Sequence, residues 1–122
     1  LIGIATISLV VGGIGIMNTM YMSVLERTRE IGVLKAIGAK DRQVMLIFLL
    51  ESGLLGLIGG VVGLALGIAA AKIVELFIVA KGITFSSYMG ADLILASLLF
   101  SFFVGVISGL LPARRAAKLL PV

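Results

Sequence analysis

The stretch ERTREIGVLKAIGAKDR, Glu26 to Arg42, is the longest polar interval in the chain and lies between two long apolar runs. Its position decides the fold class. On one side Leu1 to Leu25 carries no charged side chain, and on the other Val44 to Ala71 carries only Glu51. A third run, Leu93 to Ala113, is uncharged. At about 1.5 Å per helical residue each run can cross a hydrocarbon layer roughly 30 Å thick.

Composition agrees. With 61% hydrophobic and 13% charged residues and a mean hydropathy of +1.28, the chain has too little polar surface to coat a water-soluble core. The expected fold is all-α: an integral membrane protein with three transmembrane helices, about 1–25, 44–71 and 93–113, and a short amphipathic coupling helix in the polar interval 26–42. Leu1 to Leu25 reads as a span whose upstream sequence is missing. No basic region precedes it, and no small-residue cleavage site with a mature domain follows.

Several function classes drop out. There is no cysteine and no histidine, which excludes thiol nucleophiles, His-based triads and the common zinc sites. The chain is expected to be no enzyme and to bind no metal. The net charge of +4 comes from basic residues that flank apolar runs, without the stripe and interleaved aromatics that nucleic acid requires. Eight lysines and arginines fall in the polar interval and the tail 114–122, against Lys72 and Lys81 in the segment 72–92. The positive-inside rule therefore puts the interval and the C-terminus in the cytoplasm and 72–92 outside, with Lys72, Glu75, Lys81 and Tyr88 at the outer interface.

Glycine patterns mark helix contacts. Gly12, Gly13 and Gly15 lie in the first run; in the second, Gly56 and Gly60, Gly59 and Gly63, and Gly63 and Gly67 are each four apart. In lipid such faces let a neighbouring backbone approach closely, whether that neighbour is in this chain or another. The third run repeats the interval with Ser97, Ser101, Gly105, Gly109 and Ala113, a stripe suited to face the second. Asp92 is placed to cap this helix, and Pro112 to kink its exit.

In the polar interval Ile31, Leu34 and Ile37 recur every three residues among Arg29, Glu30 and Lys35, which suits a helix lying along the membrane surface. Gly38 is suited to end that helix and Asp41 to begin the next. A purely electrostatic anchor is the alternative, but it has no need of the three apolar residues.

The runs GGIGIMN at Gly12 to Asn18, ERTREIGVLKAIGA at Glu26 to Ala39 and PARRAAKLLP at Pro112 to Pro121 resemble the C-terminal permease segment of the MacB-type, FtsX-like ABC transporter family. The resemblance covers nearly the whole chain. It implies a permease of the bacterial cytoplasmic (inner) membrane, multi-pass, working with an ABC-type ATPase and a second permease copy, with an extracytoplasmic partner protein as a further possibility. It also implies that ATP-driven motion crosses the membrane for export, lipoprotein release or extracytoplasmic signalling. This chain is expected to hold no cofactor itself, ATP and Mg being bound by the ATPase, since no Walker A motif occurs here. The ATPase-coupling candidates are Glu26, Arg27, Arg29, Glu30, Ile31, Leu34, Lys35, Ile37 and Gly38.

Two polar residues remain inside the spans. Asn18 and Glu51 lie at similar depths from the polar interval, so a hydrogen bond between them that fixes the register of the first two helices is one expectation. Snorkelling, or contact with another chain, is the other. Two rival functions stay open: a proton-coupled secondary transporter using Glu51, and a passive membrane anchor or assembly subunit.

Overall fold

The computed structural model describes residues 1–120, so Pro121, the end of the PARRAAKLLP motif, lies outside the described residues. The chain forms four helices in the order α1 (Ile2–Glu26), α2 (Thr28–Ala36), α3 (Asp41–Ala80) and α4 (Ala91–Ala117), with no strand among the described residues. α1, α3 and α4 are each long and apolar enough to cross a membrane.

The connections explain where the helices stop. α1 and α2 are nearly continuous: only Arg27, at φ −100° and ψ 13°, leaves helical geometry. The Thr28 hydroxyl bridges this break by donating to the carbonyls of Val24 and Leu25 at 2.9 and 3.0 Å. α2 ends in a Schellman turn, with Gly38 N–H donating to Lys35 O at 3.1 Å and Ala39 N–H to Leu34 O at 3.0 Å. Gly38 sits at φ +106°, a conformation that favours glycine. The same turn ends α3, where Gly82 at φ +80° donates to Val79 O and Ile83 to Ile78 O.

α3 has 40 residues and is about 60 Å long, well beyond one hydrocarbon thickness. The helix thus carries the expected span 44–71 and continues nine residues further, taking Lys72 and Glu75 into helix. Glu75 there accepts from Lys72 Nζ at 3.0 Å and from the Ser87 hydroxyl at 2.9 Å, tying the 83–90 connection back to α3. Asp92 does not cap α4 through its side chain. Gly90 is the N-cap, and the Asp92 carboxylate accepts from the Tyr88 hydroxyl at 3.0 Å. α4 runs through the buried Pro112 to Ala117, so Arg114 and Arg115 belong to the helix rather than to a separate tail.

α3 and α4 pack as an antiparallel pair in a register written by small residues. Gly60 faces Ser101, Gly56 faces Gly105, and Gly109 faces Ser52. A methyl group on Gly56 would meet the Ser101 carbonyl oxygen and come within 2.9 Å of Gly105 Cα, so the backbones approach as closely as two glycines permit. Gly53 makes room for the Phe102 ring. α1 leans on α4 where Gly13 meets the Ser108 side chain. The hydroxyls of Ser52, Ser97, Ser101 and Ser108 donate to carbonyls of their own helix, as polar groups inside a bilayer must find an internal partner.

The core lies at one end. Met20 and Val24 of α1, Ile31 of α2, Val44 and Phe48 of α3 and Ala113 and Ala116 of α4 form one buried cluster. Arg27, Arg29, Lys35, Lys40, Arg42, Arg114, Arg115 and Lys118 lie at this same end, hereafter the basic end.

Candidate functional site

All four helices meet at the basic end, and α2 is the piece that joins them. Nine residues make only two and a half turns, too short to be stable alone, so α2 depends on what it packs against. Arg27, Ile31 and Lys35 are spaced four apart and form its inward face.

Arg27 ties the α1–α2 junction to α3. Its Nε lies 3.3 Å from Glu30 Oε2, its Nη1 lies 3.2 Å from Glu51 Oε2, and the guanidinium sits 5.7 Å from the centre of the Phe48 ring. The partner of Glu51 is therefore Arg27 and not Asn18, which is exposed on α1 and does not bond to Glu51. The physical reason is reach: an arginine at the helix junction extends its guanidinium over the Phe48 ring to the Glu51 carboxylate, and a charged partner outcompetes a neutral amide.

Ile31 is 2% exposed and belongs to the buried cluster. Lys35 follows one turn later with only 8% of its side chain exposed; its ammonium meets Asp41 Oδ1 at 2.9 Å and also donates to the carbonyl oxygen of Ala117. Asp41 is the first residue of α3 and Ala117 the last of α4, so one charge touches three helices. The C-terminal end of a helix carries unpaired carbonyls and a partial negative charge, which is where a cation is most welcome. Arg115, on α4, places its guanidinium 4.8 Å from the centre of the Tyr21 ring on α1 and closes the circle.

The outward face of α2 is different. Val33, Leu34 and Ile37 are 51%, 39% and 79% exposed, and Arg29, Glu30, Val33 and Leu34 line a shallow depression. The expected apolar face of Ile31, Leu34 and Ile37 is thus divided: Ile31 turns into the core, and Val33 takes its place beside Leu34 and Ile37. Spacings of three and four both lie within one helical face, and the sequence does not say which of them the core takes. Glu26 and Gly38 are exposed at the two ends of the segment.

The glycines divide as well. Gly56, Gly60, Gly105 and Gly109 lie in the α3–α4 contact, whereas Gly12, Gly15, Gly59, Gly63 and Gly67 have open space where a side chain would stand. Sequence reasoning misses Ser52, the innermost member of the α3–α4 register. The signal for it is the interval of four carried back from Gly60 through Gly56. It also misses Tyr21, Phe48 and Val33, for which nothing in the sequence pattern names a partner.

The described residues contain no cluster of His, Cys, Asp and Glu able to hold a metal ion. The site joins a two-faced short helix to the ends of three helices long and apolar enough to cross a membrane.

The sequence signature described as FtsX-like permease C-terminal matches residues 2–121. An ABC transporter permease of Methanocaldococcus jannaschii is 51% identical over 122 residues, which cover 99% of this chain and 31% of that protein. The ABC transporter permease YknZ of Bacillus subtilis is 47% identical over 119 residues, 98% of this chain and 29% of its own length. The macrolide export ATP-binding/permease protein MacB of Bdellovibrio bacteriovorus is 45% identical over 122 residues, all of this chain and 18% of the relative. The chain spans less than a third of the length of the curated relatives it matches.

Proposed function

Since the chain belongs to the FtsX-like permease C-terminal family, we propose that it is the membrane part through which an ABC-type ATPase drives movement across a bilayer, with α2 as the coupling element. ATP and Mg are bound by the ATPase, on a separate or fused chain, and this chain carries no nucleotide chemistry. The basic end faces the cytoplasm, as its excess of lysine and arginine requires. The C-terminus lies there too, and the membrane is the bacterial cytoplasmic membrane. The permease works as two copies, with the second copy or an extracytoplasmic partner covering surfaces that this chain leaves open.

The observation that carries the reading is the two-faced character of α2. Its inward face is fixed to α3 and α4 by Arg27, Ile31 and Lys35, while Val33, Leu34 and Ile37 stand exposed beside Arg29 and Glu30. An electrostatic anchor would not expose three aliphatic side chains to the headgroup layer, whereas a helix that docks on a protein would.

The test is site-specific photo-crosslinking from Leu34 and Ile37 in native membranes, with the captured protein identified by mass spectrometry. Capture of an ATPase, with a yield that changes on adding ATP, is the expected result. Crosslinks to lipid or to the chain itself alone, with and without ATP, would reduce α2 to an anchor.

A further inference from the structure

The Lys35 ammonium is the one charge at the basic end that is more than nine-tenths buried among the ion-paired residues, and its partners lie on two other helices. Burying an ammonium is costly unless partners replace its water, and removing one side of such a contact leaves the other unpaired. The α4 end is arranged to need it. Lys118 N–H lies on the carbonyls of Arg114, Arg115 and Ala116, and Leu119 N–H on that of Ala116. Among the described residues Ala117 O is left to Lys35 alone.

We infer that Lys35 is a positioning residue that makes the C-terminal end of α4 follow α2, so that a displacement of α2 enters the bundle through α4 as well as through the covalent connections to α1 and α3. The inference rests on the reading of α2 as the element that takes up ATPase motion. α4 has no covalent link to α2 nearer than the whole length of α3, about 60 Å of helix, so without the Lys35 contact it receives motion through non-directional packing against α1, α3 and Ile31. The buried neighbours at this end of α4 are small: Ala113, Ala116 and Ala117 offer little for α2 to grip, and Ile31 is the only large buried side chain that α2 contributes. The ammonium supplies what those alanines lack, a directional contact that resists sliding as well as separation. Once α4 moves, the Gly56–Gly105 contact carries α3 with it, because neither backbone can shift sideways without meeting the other.

The experiment uses the protein with its ATPase in sealed proteoliposomes and needs no knowledge of the substrate. Trypsin added on the side of Lys81 cleaves at that exposed residue, and the cleavage rate is followed with and without ATP and vanadate. The unaltered protein is expected to change its rate on nucleotide binding by about fivefold or more, the low end of ordinary allosteric coupling. Lys35→Met, which keeps the apolar stem and removes the charge, is expected to hydrolyse ATP and retain the ATPase while that change shrinks to the part carried by the covalent connections to α1 and α3.

A second variant guards against simple misfolding. The 122 residues contain no cysteine, so Lys35→Cys with Ala117→Cys allows α2 to be rejoined to α4 by a short bis-maleimide. The unlinked pair should show the reduced response and the linked pair the full one. A nucleotide response in Lys35→Met equal to that of the unaltered protein overturns the inference. A linked pair whose response stays reduced overturns it too. If the unaltered protein itself shows no response, the reading of α2 as coupling element fails first, and this inference with it.

Discussion

At the basic end, Met20, Val24, Ile31, Val44, Phe48, Ala113 and Ala116 fill the space between four helices, and two cations are shared among them. In the distal half α1 is exposed from Leu1 to Gly12, and α3 turns Gly59, Gly63 and Gly67 toward open space. Both regions are apolar and both are rich in glycine, so composition does not separate them. What separates them is whether each small residue has a counterpart in the facing helix. Lipid gives no hydrophobic reward for helix association, so close contact must be won by fit, and an unmatched glycine contributes none. A bundle knitted at one end and open at the other suits a device that receives motion at the knitted end.

The largest effect expected from breaking this comparison comes at Gly56. Gly56→Val would drive a side chain into the Ser101 carbonyl and the Gly105 backbone, and backbone cannot step aside as a rotamer can. A cost of about 3 kcal/mol, the upper part of the overpacking range, is expected. Gly63→Val, in the same helix with nothing within 4 Å, should change stability by about 0.5 kcal/mol at most in the monomer. Unfolding in mixed micelles, read by helicity against denaturing detergent, compares the two. Equal costs would mean that the 56–105 and 60–101 register is wrong.

A middling effect is expected at Arg27. Both partners of its pair with Glu51 are more than a third exposed, at 43% and 38%, so the interaction is discounted for solvent and headgroup screening. A coupling energy of about 0.5 kcal/mol is expected from a double-mutant cycle of Arg27→Met and Glu51→Gln. The cycle of Asn18→Leu with Glu51→Gln should be additive, because Asn18 makes no contact with that carboxylate. A coupled second cycle would move the polar contact from the α1–α2 junction up into α1.

The sequence made much of this visible. Three long apolar runs with Glu51 as their single charge required three membrane helices, Gly38 marked the end of α2, and intervals of four placed Gly56, Gly60, Gly105 and Gly109 on contact faces. Two things stayed hidden for physical reasons. Helical spacing puts Ile31, Leu34 and Ile37 on one side of α2, but the direction in which the helix rolls depends on Phe48, Met20 and Ala113, which are distant in sequence. Likewise, the charge count shows that lysine is abundant at the basic end, and only the third dimension shows that Lys35 alone is held between Asp41 and Ala117. The family resemblance carried the coupling role to the whole interval Glu26 to Gly38 without dividing the inward residues from the outward ones.

The smallest effect is expected at the distal end, where Glu75 holds Ser87 and Lys72. The Lys72 side chain is 60% exposed and that of Glu75 20% exposed, so this knot is wetter than the one around Lys35 and joins a connection, not a helix, to α3. Ser87→Ala removes one hydroxyl donor and is expected to raise local opening of the 83–90 segment only about twofold, equivalent to a few tenths of a kcal/mol. The rate of trypsin cleavage at Lys81 under conditions of rapid local closing reads that opening. Should Ser87→Ala cost as much as Gly56→Val, the distal half would owe its order to polar ties instead of lacking it. The contrast between a knitted end and an open one would then have to be replaced by one between two kinds of clamp.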